Sequence, residues 1–123
     1  MTRLLRLTAL FTLPLALGGP AQAAAPVKVT MTINGKRISP SPTYLPAGVP
    51  VRLTFANASA SDHEFKAYEL FYWGRAKVPG GVVALRSGQR KTIALTPRRG
   101  SYKLRCTKFG HAFLGESVMI VVP

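Results

Sequence analysis

The stretch "CTKFGHAFLGE" (106–116) holds the chain's only cysteine, Cys106, one of its two histidines, His111, and one of its four acidic residues, Glu116. The second histidine, His63, stands far upstream in "DHEFK". Met31 and Met119 are the remaining soft-ligand candidates. One thiolate and two imidazoles make the trigonal donor set of distorted copper sites, completed by a weak axial group. The same three residues can also hold zinc, so the donor types alone do not name the metal. A lone cysteine forms no intrachain disulfide. In an oxidising compartment such a thiol is a liability unless it is buried, paired with another chain or bound to a metal.

To meet, these residues must be carried to one place by the elements around them, and those elements read as strands. "VKVTMTI" (27–33) sets Val27, Val29, Met31 and Ile33 against Lys28, Thr30 and Thr32, a period of two. "NGK" (34–36) is a turn, and "ISPSPTYLPAG" is a Pro-rich connection with a short extended piece near Tyr44 and Leu45. "VPVRLTFAN" (49–57), "HEFKAYEL" (63–70), "VVAL" (82–85), "KTIAL" (91–95), "YKLRC" (102–106) and "SVMIVV" (117–122) supply the further strands. Only 68–83 leaves room for a short helical turn, which Pro79, Gly80 and Gly81 end. Many short strands with frequent turns indicate an all-β sandwich or small barrel. In this scheme Cys106 ends a strand, His63 begins one and His111 lies in a following loop, so distant residues can become neighbours at one end.

The first residues set the compartment. "MTRLLRLTALFTLPLALGGPAQA" has Arg3 and Arg6, an apolar run from Leu7 to Leu17, a Gly-Gly-Pro breaker and the small residues of Ala21-Gln22-Ala23. This is the pattern of a cleaved export leader, 1–23, and the run is too short to span a bilayer. The remaining 24–123 suits one small domain, not membrane-spanning after cleavage. Without Arg3 and Arg6, fifteen of the seventeen Lys and Arg remain against four Asp and Glu, a net charge of +11. An exported chain with no helical basic face is not read as a nucleic-acid binder. The charge is either a solvated basic surface or a means of steering toward an acidic protein or an anionic membrane.

Taken together, "VRLTFANAS", "HEF", "GQRKTIALTPRRGSYKLRC", His111 and the closing "VMIVVP" resemble the cupredoxin family along the whole of 24–123. The resemblance implies a Greek-key β-sandwich of seven or eight strands. It also implies one type 1-like copper per chain, held by His63, by Cys106 at the end of a G-x-Y-x-x-x-C run, and by His111 at Cys-x4-His spacing. The family's axial methionine follows the second histidine by four or five residues, which here are Gly115 and Glu116. Glu116 is therefore expected as axial ligand, its rival being a solvated or arginine-paired Glu116 with the backbone carbonyl before His63 in the axial place. A hard, charged oxygen there favours Cu(II). The implied function is single-electron transfer in the periplasm, with an acidic redox protein or a membrane permease component as partner.

The alternatives are a redox-quiet copper carrier or tolerance protein, a cupredoxin that oxidises Fe(II) for an iron permease, and a metal-free adaptor using Phe71, Tyr72, Trp73 and the basic surface. No nucleophile–base pair or paired catalytic carboxylates point to an independent enzyme. Asp62, Glu64 and Glu69 could offer oxygen ligands to a second, harder metal, but a solvated patch with a local ion pair to Lys66 accounts for them better. Met119 is read as a strand residue filling the core rather than a ligand.

Overall fold

The computed structural model describes residues 12–14, 18, 25–106 and 117–123. These residues form nine strands in two sheets. In the first sheet, β1 (Val27–Asn34) lies between β2 (Arg37–Ser39) and β4 (Val51–Asn57), and β7 (Arg90–Leu95) follows β4. In the second, the order is β3 (Thr43–Tyr44), β9 (Ser117–Val122), β8 (Gly100–Cys106), β5 (His63–Lys66) and β6 (Val82–Leu85). β1 and β4 run parallel, with Met31 opposite Phe55, while β4–β7, β5–β8 and β8–β9 are antiparallel.

The period-two pattern is what folds this chain. Successive side chains of a strand point to opposite faces, so alternate apolar residues line one surface. Met31, Ile33, Leu53 and Phe55 from the first sheet, and Phe65, Leu104 and Ile120 from the second, are fully buried between the layers. Their neighbours Arg52, Glu64, Lys103 and Arg105 face out. Aligned ring stacking of Phe55 on Phe65, 6.2 Å between centroids, ties the two sheets at mid-core.

Three expectations change. The described residues contain nine strands rather than seven or eight, because the Pro-rich connection yields both β2 and the two-residue β3. The strand expected over 63–70 stops at Lys66, and α1 (Tyr68–Trp73) follows. Leu70 and Phe71 are buried on one face of that helix, whereas Tyr68 and Tyr72 stack on its outer face at 5.9 Å, which is the i, i+4 spacing of a helix. Met119 is not a core residue: alternation in β9 buries Val118 and Ile120 and leaves Met119 41% exposed. The expected leader lies mostly outside the described residues.

The strands define two ends. β4 finishes at Asn57, β5 starts at His63 and β8 finishes at Cys106, all at one end. Six residues earlier β8 starts at Gly100, which at about 3.3 Å per residue puts the two ends roughly 20 Å apart. Arg98 and Arg99 immediately precede Gly100 at this second end.

Candidate functional site

At the first end, Phe65 pairs directly with Cys106 across β5 and β8. His63 lies two residues before Phe65, on the same inward face, so its ring reaches the cysteine. Both residues are 1% exposed, and Cys106 Sγ lies 3.9 Å from His63 Nδ1. Asn57, where β4 ends, organises the surroundings. Its Nδ2 donates to the carbonyls of Ser61, Leu85 and Arg86 at 2.8, 3.3 and 3.0 Å. Carbonyls only accept, so the amide orientation is fixed and Asn57 Oδ1 faces Ser59. That oxygen accepts from Ser59 N at 3.0 Å and from Ser59 Oγ at 2.6 Å. With its one proton engaged there, Ser59 Oγ accepts from His63 Nε2 at 2.7 Å. The imidazole thereby presents Nε2 to the hydroxyl and Nδ1 to the cysteine sulfur.

Of the four residues predicted to hold copper, the structure brings His63 and Cys106 together, while His111 and Glu116 lie outside the described residues. Two donors are not the trigonal set. Among the described residues, no three His, Cys, Asp or Glu side chains are grouped so as to hold a metal ion. This corrects the expectation of one type 1-like copper per chain and of single-electron transfer through it. Strand alternation sets Glu64 on the opposite face of β5 from His63. His63 and Phe65 turn inward, so Glu64 turns out. Asp62 is exposed and its Oδ1 accepts from Ser87 N at 3.2 Å. Glu69 sits in the first turn of α1. Asp62, Glu64 and Glu69 form no group of three potential metal ligands among the described residues.

At the second end, the structure assembles residues that are scattered in the sequence. A hollow of about 980 Å³ is lined by Gly48, Tyr72, Trp73, Arg75, Arg98 and Arg99 among others, and none of the described residues lining it is acidic. The Arg98 guanidinium lies over the Trp73 ring, 5.0 Å from its centroid, and Tyr72 meets Trp73 edge to face at 5.0 Å. Trp73 remains 50% exposed. Backbone bonds lock the segments together: Gly48 N donates to Pro97 O at 2.8 Å and Thr96 N to Gly74 O at 2.9 Å. Tyr102 Oη donates to Arg98 O at 2.7 Å, pinning the corner from which both arginines project.

Helix α1 ends in a Schellman motif, with Ala76 N donating to Phe71 O at 2.9 Å and Arg75 N to Tyr72 O at 3.2 Å. Arg75 occupies the left-handed position of that motif at φ 53°, where glycine is the usual residue. The sequence displays Phe71–Trp73 and Arg98-Arg99 as separate features. Their meeting has no local signature except the "GSY" that places Tyr102 to hold the arginine corner.

Residues 7–121 match the family described as the cupredoxin-like domain. No curated protein matches the chain. Among solved structures, the chain is similar to a dithionite-reduced auracyanin of Roseiflexus castenholzii, with 18% identity, a TM-score of 0.62, and coverage of 81% of this chain and 99% of that one. It is similar also to auracyanin A, a "blue" copper protein of Chloroflexus aurantiacus, with 18% identity, a TM-score of 0.60 and coverage of 80% and 100%. A multicopper oxidase of Campylobacter jejuni shares 14% identity at a TM-score of 0.57, covering 86% of this chain and 32% of that longer one. Similar structures thus include both small copper proteins and parts of oxidases, and at these identities the likeness is one of fold.

Proposed function

The chain belongs to the cupredoxin-like domain family, and on that premise we propose that it is an exported docking module that binds an acidic partner protein outside the cytoplasm. It acts by association rather than by turnover, and the association requires no metal. One observation carries this reading: a net charge of +11 over 24–123 coincides with an exposed aromatic run, Tyr68, Tyr72 and Trp73, on a rigid sandwich. Cationic charge steers an acidic protein into encounter. Exposed tyrosine and tryptophan supply the contact area that anchors interfaces once desolvated. An acidic redox protein or an acidic face of a membrane permease component fits that chemistry. No helix among the described residues is long and apolar enough to cross a membrane, so a membrane-bound partner would be met from outside the bilayer.

Calorimetric titration of the purified exported protein with a short oligoglutamate peptide tests the reading, with oligoglutamine as control. Binding of the glutamate peptide alone is expected. It should weaken between about 0.01 and about 0.15 M salt, as the screening length falls from about 30 to about 8 Å. Equal binding of the two peptides, or of neither, overturns the proposal. So does an intense visible band on adding Cu(II) that disappears in Cys106→Ser, because that result would put a metal centre back at the heart of the function.

A further inference from the structure

We propose that the hollow at the end away from His63 and Cys106 is the binding site for a peptide segment bearing neighbouring carboxylates, held by Arg75, Arg98 and Arg99 against the Trp73 ring. The inference rests on the docking reading above and gives that reading a place and a ligand. Three arginines from two separate segments line one concavity, and none of the described residues lining it is acidic. Like charges repel, and an arrangement of this kind is relieved by an anion between them. The Arg98 guanidinium lies over the Trp73 ring, and its planar fork can bind a carboxylate through two parallel bonds.

The site is also preorganised. The Tyr102–Arg98, Gly48–Pro97 and Thr96–Gly74 bonds fix its walls before any ligand arrives, which lowers the ordering cost of binding. Arg75 adds an independent argument. Its backbone sits at φ 53° in the closing position of α1, where a side chain is a strain that glycine avoids, and its own side chain is exposed. Folding gives no reason for arginine there, whereas an anion in the hollow does. The concavity decides between acidic partners. A hollow within the size range of ligand pockets admits a chain segment with an apolar side chain against Tyr72 and Trp73, but a flat bilayer surface cannot enter it.

Trp73 is the chain's only tryptophan, so its fluorescence reports on this hollow alone. Titrations use oligoglutamate, inorganic phosphate and vesicles of anionic phospholipid, each followed by emission and, in parallel, by calorimetry. A saturable change with oligoglutamate is expected. It should weaken about tenfold or more in Arg75→Gly and in Arg98→Glu, the loss of one close charge pair being worth at least that factor. Because glycine suits the backbone at position 75, Arg75→Gly should melt no lower than the wild type, so its lost affinity cannot be ascribed to unfolding. If calorimetry shows peptide binding that leaves Trp73 silent and is unchanged in both variants, the hollow is not the site and the docking reading stands. If the peptide does not bind at all, both fall. A saturable response to phosphate or vesicles without one to the peptide overturns the ligand assignment.

Discussion

His63 is a buried polar side chain whose ring is held in part by one hydroxyl. Ser59 Oγ accepts from its Nε2, and Asn57 fixes Ser59 in turn through bonds of 2.6 and 3.0 Å. Removing a buried partner leaves the remaining groups to bear the desolvation cost, about 1–3 kcal/mol. Ser59→Ala should therefore lower the free energy of urea unfolding by about that amount, and Ser59→Thr, which keeps the hydroxyl, should lose far less. The ¹⁵N shifts of the His63 ring provide a second measurement. They should show the Nε2–H tautomer in the wild type and a shifted tautomer balance in Ser59→Ala, an outcome that a loss of packing alone would not give. Undisturbed ring shifts in Ser59→Ala would remove Ser59 from this role.

At the scale of the element, the end of α1 places two neighbouring residues under opposite demands. Gly74 packs so closely that a Cβ would lie 2.7 Å from Leu70 O and 3.2 Å from a Leu95 methyl. Gly74→Ala should destabilise the fold by about 1–3 kcal/mol, as overpacking against backbone does. Arg75, next in the chain, carries a side chain where the backbone prefers none. Arg75→Gly should stabilise by up to about 1 kcal/mol, since an L-residue in the left-handed region costs roughly 1–2 kcal/mol and the added backbone freedom of glycine offsets part of the gain. In a domain of this size that is a rise in melting temperature of up to about 4–8 °C. Thermal melts of the two variants should move in opposite directions, and a lower melting temperature for Arg75→Gly would contradict the strain argued here.

For the molecule as a whole, one core between two sheets carries the stability while the surface carries the charge. Phe65 is fully buried, stacked on Phe55 and near-parallel to the His63 ring at 5.9 Å. Phe65→Ala should cost about 3–5 kcal/mol. Domains of this kind have only about 5–15 kcal/mol in total, so the loss is a large share of stability and should be visible as a strongly reduced urea midpoint. The charged surface acts at longer range. Association of the protein with an acidic peptide should slow in stopped-flow as salt rises, whereas a rate indifferent to salt would exclude steering. The mass of the protein recovered from outside the cytoplasm should correspond to 24–123, in keeping with cleavage after Ala23.

The sequence by itself determined the two-sheet all-β architecture, because alternation of apolar and polar residues is a property of near neighbours and survives whatever the strands pair with. It also anticipated that His63 and Cys106 would meet, since each stands at the end of a short strand whose inward face is fixed by its own period. Where local signals conflict, packing decided. "HEFKAYEL" satisfies a strand pattern through Lys66, yet the burial of Leu70 and Phe71 on one face turns the rest into helix. Met119 is as apolar as its neighbours, but the register of β9 on β8 puts it outside. The expectation of a complete copper site rested on family likeness in the loop after Cys106, and the described residues supply only two of its donors. The arginine–tryptophan hollow was beyond sequence reading for a plain reason: Trp73 and Arg98 are brought together by backbone bonds among three separate segments. Which distant segments share an end of the sandwich is decided by the tertiary packing of the whole chain.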